Sequence, residues 1–393
     1  MWRCATIHLE AFNLKVPHAD CGFCKFQCIH RIVIVLWTNP RHHANWGAIN
    51  NKRCRILNDI NVIIKKISPE SKKLNKKKFL ITGANGFLGK YFIACLLELN
   101  KVLKNKIKIY AIDIQFDNCE LFNDKFVKCI KKDINTFKVI KTKCDYILHL
   151  AGIPSPKNYH DKPIETLLTS IIGTKTLLDL AKKNKAKFVF FSSSEIYGNP
   201  DKLNIPTKET YNGNVSTLGD RACYDEGKRV GETLAFFYNK KFKVETNIFR
   251  PFNIIGPGMK KSDYRVFPNF FSAIKNNNPL NVFRDGKQTR TFCYIVDAMI
   301  FMFLIIIKGK NIVYNIGINK PEITMKNLAK KIQYLVPKKV KIRFKNYPKK
   351  YPQTEPLRRC PDISRLVKEF KFKQFTKIED SIMNFYKWSQ RYY

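Results

Sequence analysis

Residues 192–198 read Ser-Ser-Ser-Glu-Ile-Tyr-Gly and follow directly on an apolar run, Lys187-Phe188-Val189-Phe190-Phe191. Hydroxyls ending in a carboxylate after a buried strand can hold a polar substrate and move its protons, and they can equally make an ordinary turn. Glu195 gains meaning only if a cofactor, a base and a substrate can be placed around it. A base is available in Tyr224-Asp225-Glu226-Gly227-Lys228, where the phenol and the ammonium are four residues apart and share one face of a helix. A tyrosine titrating near pH 10 needs its pKa lowered by about 3 units, about 4 kcal/mol, to serve at neutral pH. Lys228 and a second positive charge beside the phenol are groups able to do that. Taken alone, a Tyr-x-x-x-Lys pair recurs by chance in helices with no chemistry.

The cofactor signal lies upstream. Gly83-Ala84-Asn85-Gly86-Phe87-Leu88-Gly89 follows the apolar run Phe79-Leu80-Ile81-Thr82 and opens a helical pattern. The first glycine permits a tight turn, the second lets backbone approach a pyrophosphate, and the third lets helix and strand pack closely. Glycines in a plain turn are the alternative. Asp113 ends the second strand, where a carboxylate can accept from an adenosine ribose and would repel a 2′-phosphate, which favours NAD over NADP. Asp133 and Ile134, after the third strand candidate, are positioned to hold the adenine.

These groups must be carried by a regular frame. Strands are expected at Phe79–Thr82, Lys108–Ile112, Tyr146–Leu150 and Lys187–Phe191, alternating with helices over Phe87–Leu99 and Ile164–Lys183. Apolar strands alternating with helices predict an α/β fold: a doubly wound parallel sheet, followed after Pro251 by a smaller α/β domain. The domain reading is residues 1–54 as an N-terminal extension, 55–77 as a linker helix (Ile60, Ile63, Ile64, Ile67), 78–250 as the cofactor domain, and 251–393 as mainly a substrate domain with some return to the first.

Bulk properties fit a globular chain: 393 residues, 45% of them hydrophobic, allow a substantial core. The formal charge of +41 would suit a nucleic-acid partner, but Lys is spread along the chain with Asn, Ile, Phe and Tyr, all encoded by A- and T-rich codons, so no nucleic acid is expected. The longest apolar run, Ala298–Ile307, is too short to span a bilayer and reads as a core helix. With no continuous apolar signal region at the N-terminus, a cytoplasmic protein with reduced thiols is expected. Five of the twelve cysteines fall in the first 54 residues, including Cys21, Cys24 and Cys28 with His18 and His30 nearby. No second Cys-x-x-C follows, so no metal site is expected.

In order, GANGFLG, HLAG (His149–Gly152), SSSEIYG and YDEGK make residues 75–390 resemble the extended short-chain dehydrogenase/reductases that act on nucleotide sugars. RACYDEGKR (Arg221–Arg229), QTRTFCYIVD (Gln288–Asp297) and RRCPDI (Arg358–Ile363) resemble more narrowly its UDP-glucuronate decarboxylase (UDP-xylose synthase) branch. The resemblance implies a Rossmann-type NAD domain, a C-terminal domain for a nucleotide sugar, a UDP-sugar first among them, and a homodimer built through the helices that include the Tyr-Lys pair. It implies Tyr224 as the base at the C4 hydroxyl, Lys228 on the phenol and the nicotinamide ribose, and Ser193 at O4. Ser194 and Glu195 match the Ser-Glu pair, and Arg359 matches an arginine near the sugar carboxylate. Leu150, Ala151 and Gly152 join the cofactor site; Asn253 and Arg290 match diphosphate-binding positions; Phe283 matches an aromatic against uracil, with a purely structural phenylalanine as the alternative.

Three departures bear on substrate. Ser170 stands where an asparagine is usual, Gly258 where decarboxylases carry arginine after Gly-Pro, and a C-terminal Gly-Trp is missing around Lys371-Phe372. A 4-epimerase can do without Glu195, whereas chemistry at C5 needs it. Ser194 argues against the dTDP-glucose type of 4,6-dehydratase, which carries aspartate there; GDP-mannose dehydratases share the Ser-Glu pair. The expected activity is decarboxylation of UDP-glucuronate, with a dehydratase or 4-epimerase as the alternative and a non-catalytic basic RNA binder as a remote one.

Overall fold

The computed structural model describes residues 53–136, 142–154, 156–347, 356–372 and 374–393. The Cys21–Cys28 cluster lies outside the described residues. The strands, in chain order, are β1 (Lys78–Thr82), β2 (Lys108–Asp113), β3 (Val127–Lys131), β4 (Tyr146–His149), β5 (Lys187–Phe191), β6 (Thr246–Pro251), β7 (Asn253–Ile255), β8 (Leu280–Phe283), β9 (Thr289–Arg290), β10 (Phe292–Tyr294), β11 (Val313–Ile316), β12 (Ile323–Thr324), β13 (Ile342–Lys345) and β14 (Arg358–Arg359). The longer helices are α1 (Arg53–Ser71), α2 (Phe87–Val102), α3 (Thr174–Asn184), α4 (Ala222–Phe242), α5 (Val266–Lys275), α6 (Ile295–Lys308), α7 (Met325–Leu335) and α8 (Ile378–Tyr392).

Seven strands form one parallel sheet in the order β11-β6-β5-β4-β1-β2-β3. Its central strands are apolar on both faces because each face is covered, whereas the edge strand β3 carries lysines and is partly exposed. Phe79, Ile81, Leu148 and Val189 pack into a core with α2 and α6, while Leu80, Ile147, Phe188 and Phe190 pack with Leu177, Leu178 and Ala181 of α3 on the other side. The strand order reverses between β1 and β4, and ligands of such sheets bind at the carboxyl ends beside that switch point. The run Ala298–Ile307 lies within α6 and is buried as far as Ile306, as its composition predicts. Among the described residues no helix is long and apolar enough to cross a membrane.

Two elements differ from the sequence expectation. The helical pattern Ile164–Lys183 is interrupted: Pro163–Leu168 gives way to a π-helical turn, Thr169–Gly173, before α3 begins. Gly173 in that turn packs so closely that an added Cβ would meet Ile134 Cγ2 at 3.1 Å, so the distortion brings the helix up to the cofactor side of β3. Helix α1 starts at Arg53 and is built into the fold: Ile60, Ile63 and Ile67 join the α2–α6 core, and Asp59 accepts from the hydroxyls of Tyr91 and Tyr294.

Beyond Pro251 a second core joins α5, α7 and α8 around Phe267, Phe271, Leu328, Ile332 and Phe385. Three small sheets fringe it: β7 with β10, β8 with β13, and β12-β9-β14. The chain returns to the main sheet at β11. The fringe faces the carboxyl ends of the main sheet across a cleft of about 760 Å³.

Candidate active site

Each wall of the cleft follows from a local feature. β1 ends at Thr82, and Gly83 turns the chain with φ +67°. An added Cβ there would lie 2.7 Å from Ala151 N and 2.8 Å from Leu150 C, so only glycine fits the turn against the β4 loop. A Cβ on Gly89 would meet Gly83 O at 2.4 Å, which explains the third glycine as a packing requirement. Thr82 Oγ1 accepts from Ala151 N at 3.2 Å and shares a hydrogen bond with His149 Nδ1 at 2.8 Å, tying β1 to the Leu150-Ala151-Gly152 loop. Burial pushes the His149 imidazole down to about 3, which keeps it neutral and able to accept. Asp113 ends β2 and accepts from Asn85 N at 2.9 Å, so the ribose-side carboxylate and the glycine turn form one unit. Asp133 and Ile134 line the same end of the cleft, with Asp133 accepting from Asn135 N at 2.8 Å.

This shape fits NAD. The Gly83 turn and the N-terminus of α2, which has no side-chain cap, border the cleft where a helix start favours an anion, and Asp113 lines the same wall.

Helix α4 carries Tyr224 and Lys228 one turn apart, both buried. Lys228 donates to Phe191 O at 2.8 Å at the end of β5, and an added Cβ on Gly152 would be 3.4 Å from its Nζ. Burial pulls its pKa down to about 8, against the opposing pull of Glu232. Burial also pushes the Tyr224 phenol up; the Ser193 hydroxyl leads the groups that draw it down, followed by Arg265 and Arg221. The Lys228 ammonium lies 5.8 Å from the centre of the Tyr224 ring. Tyr159 stacks on Tyr224 with centroids 5.6 Å apart.

Ser193 caps the short turn Ser194–Tyr197 and accepts from Glu195 N at 3.2 Å. The Glu195 carboxylate faces Arg359, with Nη1–Oε1 at 2.5 Å and Nη2–Oε2 at 2.6 Å, and also contacts Arg221 through Oε2. Arg359 lies on β14 in register with Arg290 on β9. Arg290 donates to Thr289 O at 2.7 Å and lines the cleft. Asn253 donates to Thr291 O at 3.0 Å, and Phe283 stands 5.1 Å from the Tyr347 ring. Every sequence-selected residue of the catalytic and substrate groups thus borders one cleft. The reading missed Tyr159, Tyr347, Arg265 and the role of Arg221; only Arg221, inside the quoted RACYDEGKR string, carried a signal.

The departures also find places. Ser170 is buried in the π turn against α4, where an added Cβ on Gly227 would meet Ser170 Cβ at 3.3 Å. Gly258 has φ +98° and an added Cβ would be 3.5 Å from Phe87, so this backbone suits glycine and would strain an arginine.

The sequence model of the NAD dependent epimerase/dehydratase family matches residues 79–317. UDP-glucuronic acid decarboxylase 1 of Arabidopsis thaliana is 36% identical over 295 residues, covering 73% of this chain and 64% of that protein, so the match spans less than two thirds of its length. UDP-glucuronic acid decarboxylase 6 of the same plant is 35% identical, covering 73% of this chain and 81% of that protein. The solved structure of UDP-glucuronic acid 4-epimerase from Bacillus cereus, in complex with UDP-glucuronic acid and NAD, is similar with 25% identity and a TM-score of 0.68, covering 80% of this chain and 100% of that one. UDP-glucose 4-epimerase from Thermotoga maritima, at 21% identity and a TM-score of 0.70 over 80% of this chain and 99% of that one, shares the fold. With its glycine turn, switch-point cleft and buried Tyr-Lys pair, the chain belongs to the NAD-dependent epimerase/dehydratase family.

Proposed function

We propose that the protein modifies a nucleotide sugar and that its reaction is the decarboxylation of UDP-glucuronate to UDP-xylose. The observation that carries this reading is Glu195, a carboxylate beside Tyr224 and Ser193 that is held by Arg359 and Arg221. The decarboxylase relatives support it, while the uronic acid in the Bacillus cereus 4-epimerase complex supports the sugar and not the reaction.

Gly83, Asn85, Gly86, Phe87, Leu88 and Gly89 would hold the cofactor diphosphate, Asp113 the adenosine ribose, Asp133 and Ile134 the adenine. Leu150, Ala151 and Gly152 would flank the nicotinamide side with Lys228. NAD, when bound, would supply the hydride acceptor for C4 of the sugar and the donor that restores it. Ser193 orients O4, and Tyr224 accepts the O4 proton. The uronic acid is then a β-keto acid: the bond from C5 to its carboxylate breaks, the electron pair passes through C5–C4 to O4, and CO2 leaves. Glu195 and Arg359 manage the developing charge and the proton that adds to C5, and Tyr224 gives its proton back to O4. The balance is one proton consumed and one CO2 released. Asn253 and Arg290 would hold the diphosphate and Phe283 the uracil face. Exposed Val230, Phe236 and Phe237 on α4 support the homodimer implied by the resemblance.

The test is incubation of the full chain with NAD and, separately, UDP-glucuronate, UDP-glucose, GDP-mannose and dTDP-glucose, followed by mass spectrometry of the products. UDP-glucuronate should yield a product lighter by CO2. An isomer of unchanged mass would establish a 4-epimerase, and loss of water from a neutral sugar a dehydratase; either overturns the decarboxylase reading.

A further inference from the structure

Glu195 belongs to a longer chain of charges under the cleft. Arg221, Glu195, Arg359 and Asp225 have side chains 11%, 15%, 10% and 7% exposed. Arg221 Nη2 contacts Glu195 Oε2, the same oxygen that accepts from Arg359, and Arg221 Nε lies 3.5 Å from Asp225 Oδ2. Two guanidinium groups and two carboxylates therefore alternate from the first turn of α4 to β14, neutral in sum.

The position of Arg221 is set by backbone as well as side chain. Its carbonyl accepts from Tyr224 N and Asp225 N, each at 3.0 Å, so it starts the helix that bears Tyr224 and Lys228. One residue thereby links the helix carrying the base to the Glu195 carboxylate of the cleft. Arg359, reaching in from β14, meets both oxygens of Glu195 and sets the plane of the carboxylate. Arg221 arrives from a different element and resists rotation out of that plane. Without it, one buried carboxylate oxygen loses a charged donor and Asp225 loses its cation.

We infer that Arg221 is a positioning residue for the reaction, anchored by Asp225, and that it acts on the proton and charge transfers at C5 chiefly through Glu195. This inference rests on the decarboxylase reading, in which Glu195 handles those transfers.

The experiment is a double-mutant cycle in the full chain with NAD and UDP-glucuronate, using the unmodified enzyme, Glu195→Gln, Arg221→Gln and the pair, with Arg221→Lys alongside. UDP-xylose release, NADH absorbance and KM are read together, and a thermal melt of each variant checks folding. Arg221→Gln should slow UDP-xylose formation about tenfold or more and leave KM within about threefold, with 4-keto sugar and reduced cofactor accumulating because C4 oxidation continues. In the Glu195→Gln background the same change should cost no more than about twofold. Arg221→Lys, which keeps the charge and one donor, should recover part of the rate. Should Arg221→Gln fail to fold, Arg221→Lys and Asp225→Asn carry the cycle with smaller losses in the same direction.

Losses that add in the double variant, or a tenfold rise in KM with turnover intact, overturn the inference, since Arg221 would then touch the sugar itself. An unmodified enzyme that releases no CO2 removes the decarboxylase reading and this inference with it. CO2 release combined with an additive cycle removes only the role of Arg221.

Discussion

Gly83→Ala isolates the cofactor cradle from the rest of the site. Two costs are legible in the structure. The backbone at φ +67° penalises a non-glycine residue by about 1–2 kcal/mol. The new Cβ would also lie 2.7–2.9 Å from backbone atoms of Leu150 and Ala151, which are not free to swing aside as a side-chain tip would be. Overpacking of that kind costs about 1–3 kcal/mol. The chain can relieve the second cost only by withdrawing the turn from the β4 loop, which spoils the surface that faces the diphosphate. The first cost should therefore register in stability and the second in NAD affinity. A loss of 1–3 kcal/mol in binding corresponds to a dissociation constant raised about 5- to 150-fold. Calorimetric titration with NAD, paired with a thermal melt of the protein alone, reads both. NAD binding within twofold of the unmodified protein and an unchanged melt would refute the assignment of Gly83 to the cradle.

Three further outcomes are expected. Tyr224→Phe should reduce turnover about 10²- to 10⁴-fold with NAD affinity within about twofold, because only the phenolic oxygen is lost; near-normal turnover would exclude Tyr224 as the base. Glu322 accepts from Arg358 at 2.9 and 2.8 Å and contacts Thr289, so it clasps the strands bearing Arg359 and Arg290. Glu322→Gln should cost about 1 kcal/mol or less in stability yet raise the KM for UDP-glucuronate about threefold or more, and an unchanged KM would contradict the clasp. Asp297, buried at the start of α6, has its carboxyl pushed up to about 6 by burial despite accepting from Thr376 N at 2.9 Å. Between pH 4 and 6 the folded state binds the proton that the unfolded state has released. Its contribution to stability is therefore present below about pH 4 and falls by about 3 kcal/mol as the pH rises through 6. Asp297→Asn should flatten that slope in melts across pH 4–7, and an unaltered slope would assign it elsewhere.

Where the chemistry depends on neighbours in the chain, the sequence alone was enough. The glycine turn, Asp113 at the end of β2 and the Tyr224–Lys228 spacing follow from strand, turn and helix periods that operate within a few residues, and each stands in the cleft as those periods require. The same holds for the parallel sheet, whose central strands are apolar on both faces, and for the buried run in α6. The tertiary structure decided what meets across long separations. Arg359 reaches Glu195 from 164 positions away because β14 pairs with β9, two-residue strands too short to leave a periodic pattern. The π turn at Thr169–Gly173 sets Gly173 against Ile134, an approach that no helical period encodes. Helix α1 looked like a linker from its amphipathic pattern, yet its Asp59 is held by Tyr91 and Tyr294, which come together only when α2 and β10 share a core. Local conformational preference is written residue by residue; charge pairing and burial depend on distance in space, and that distance exists only after the chain has folded.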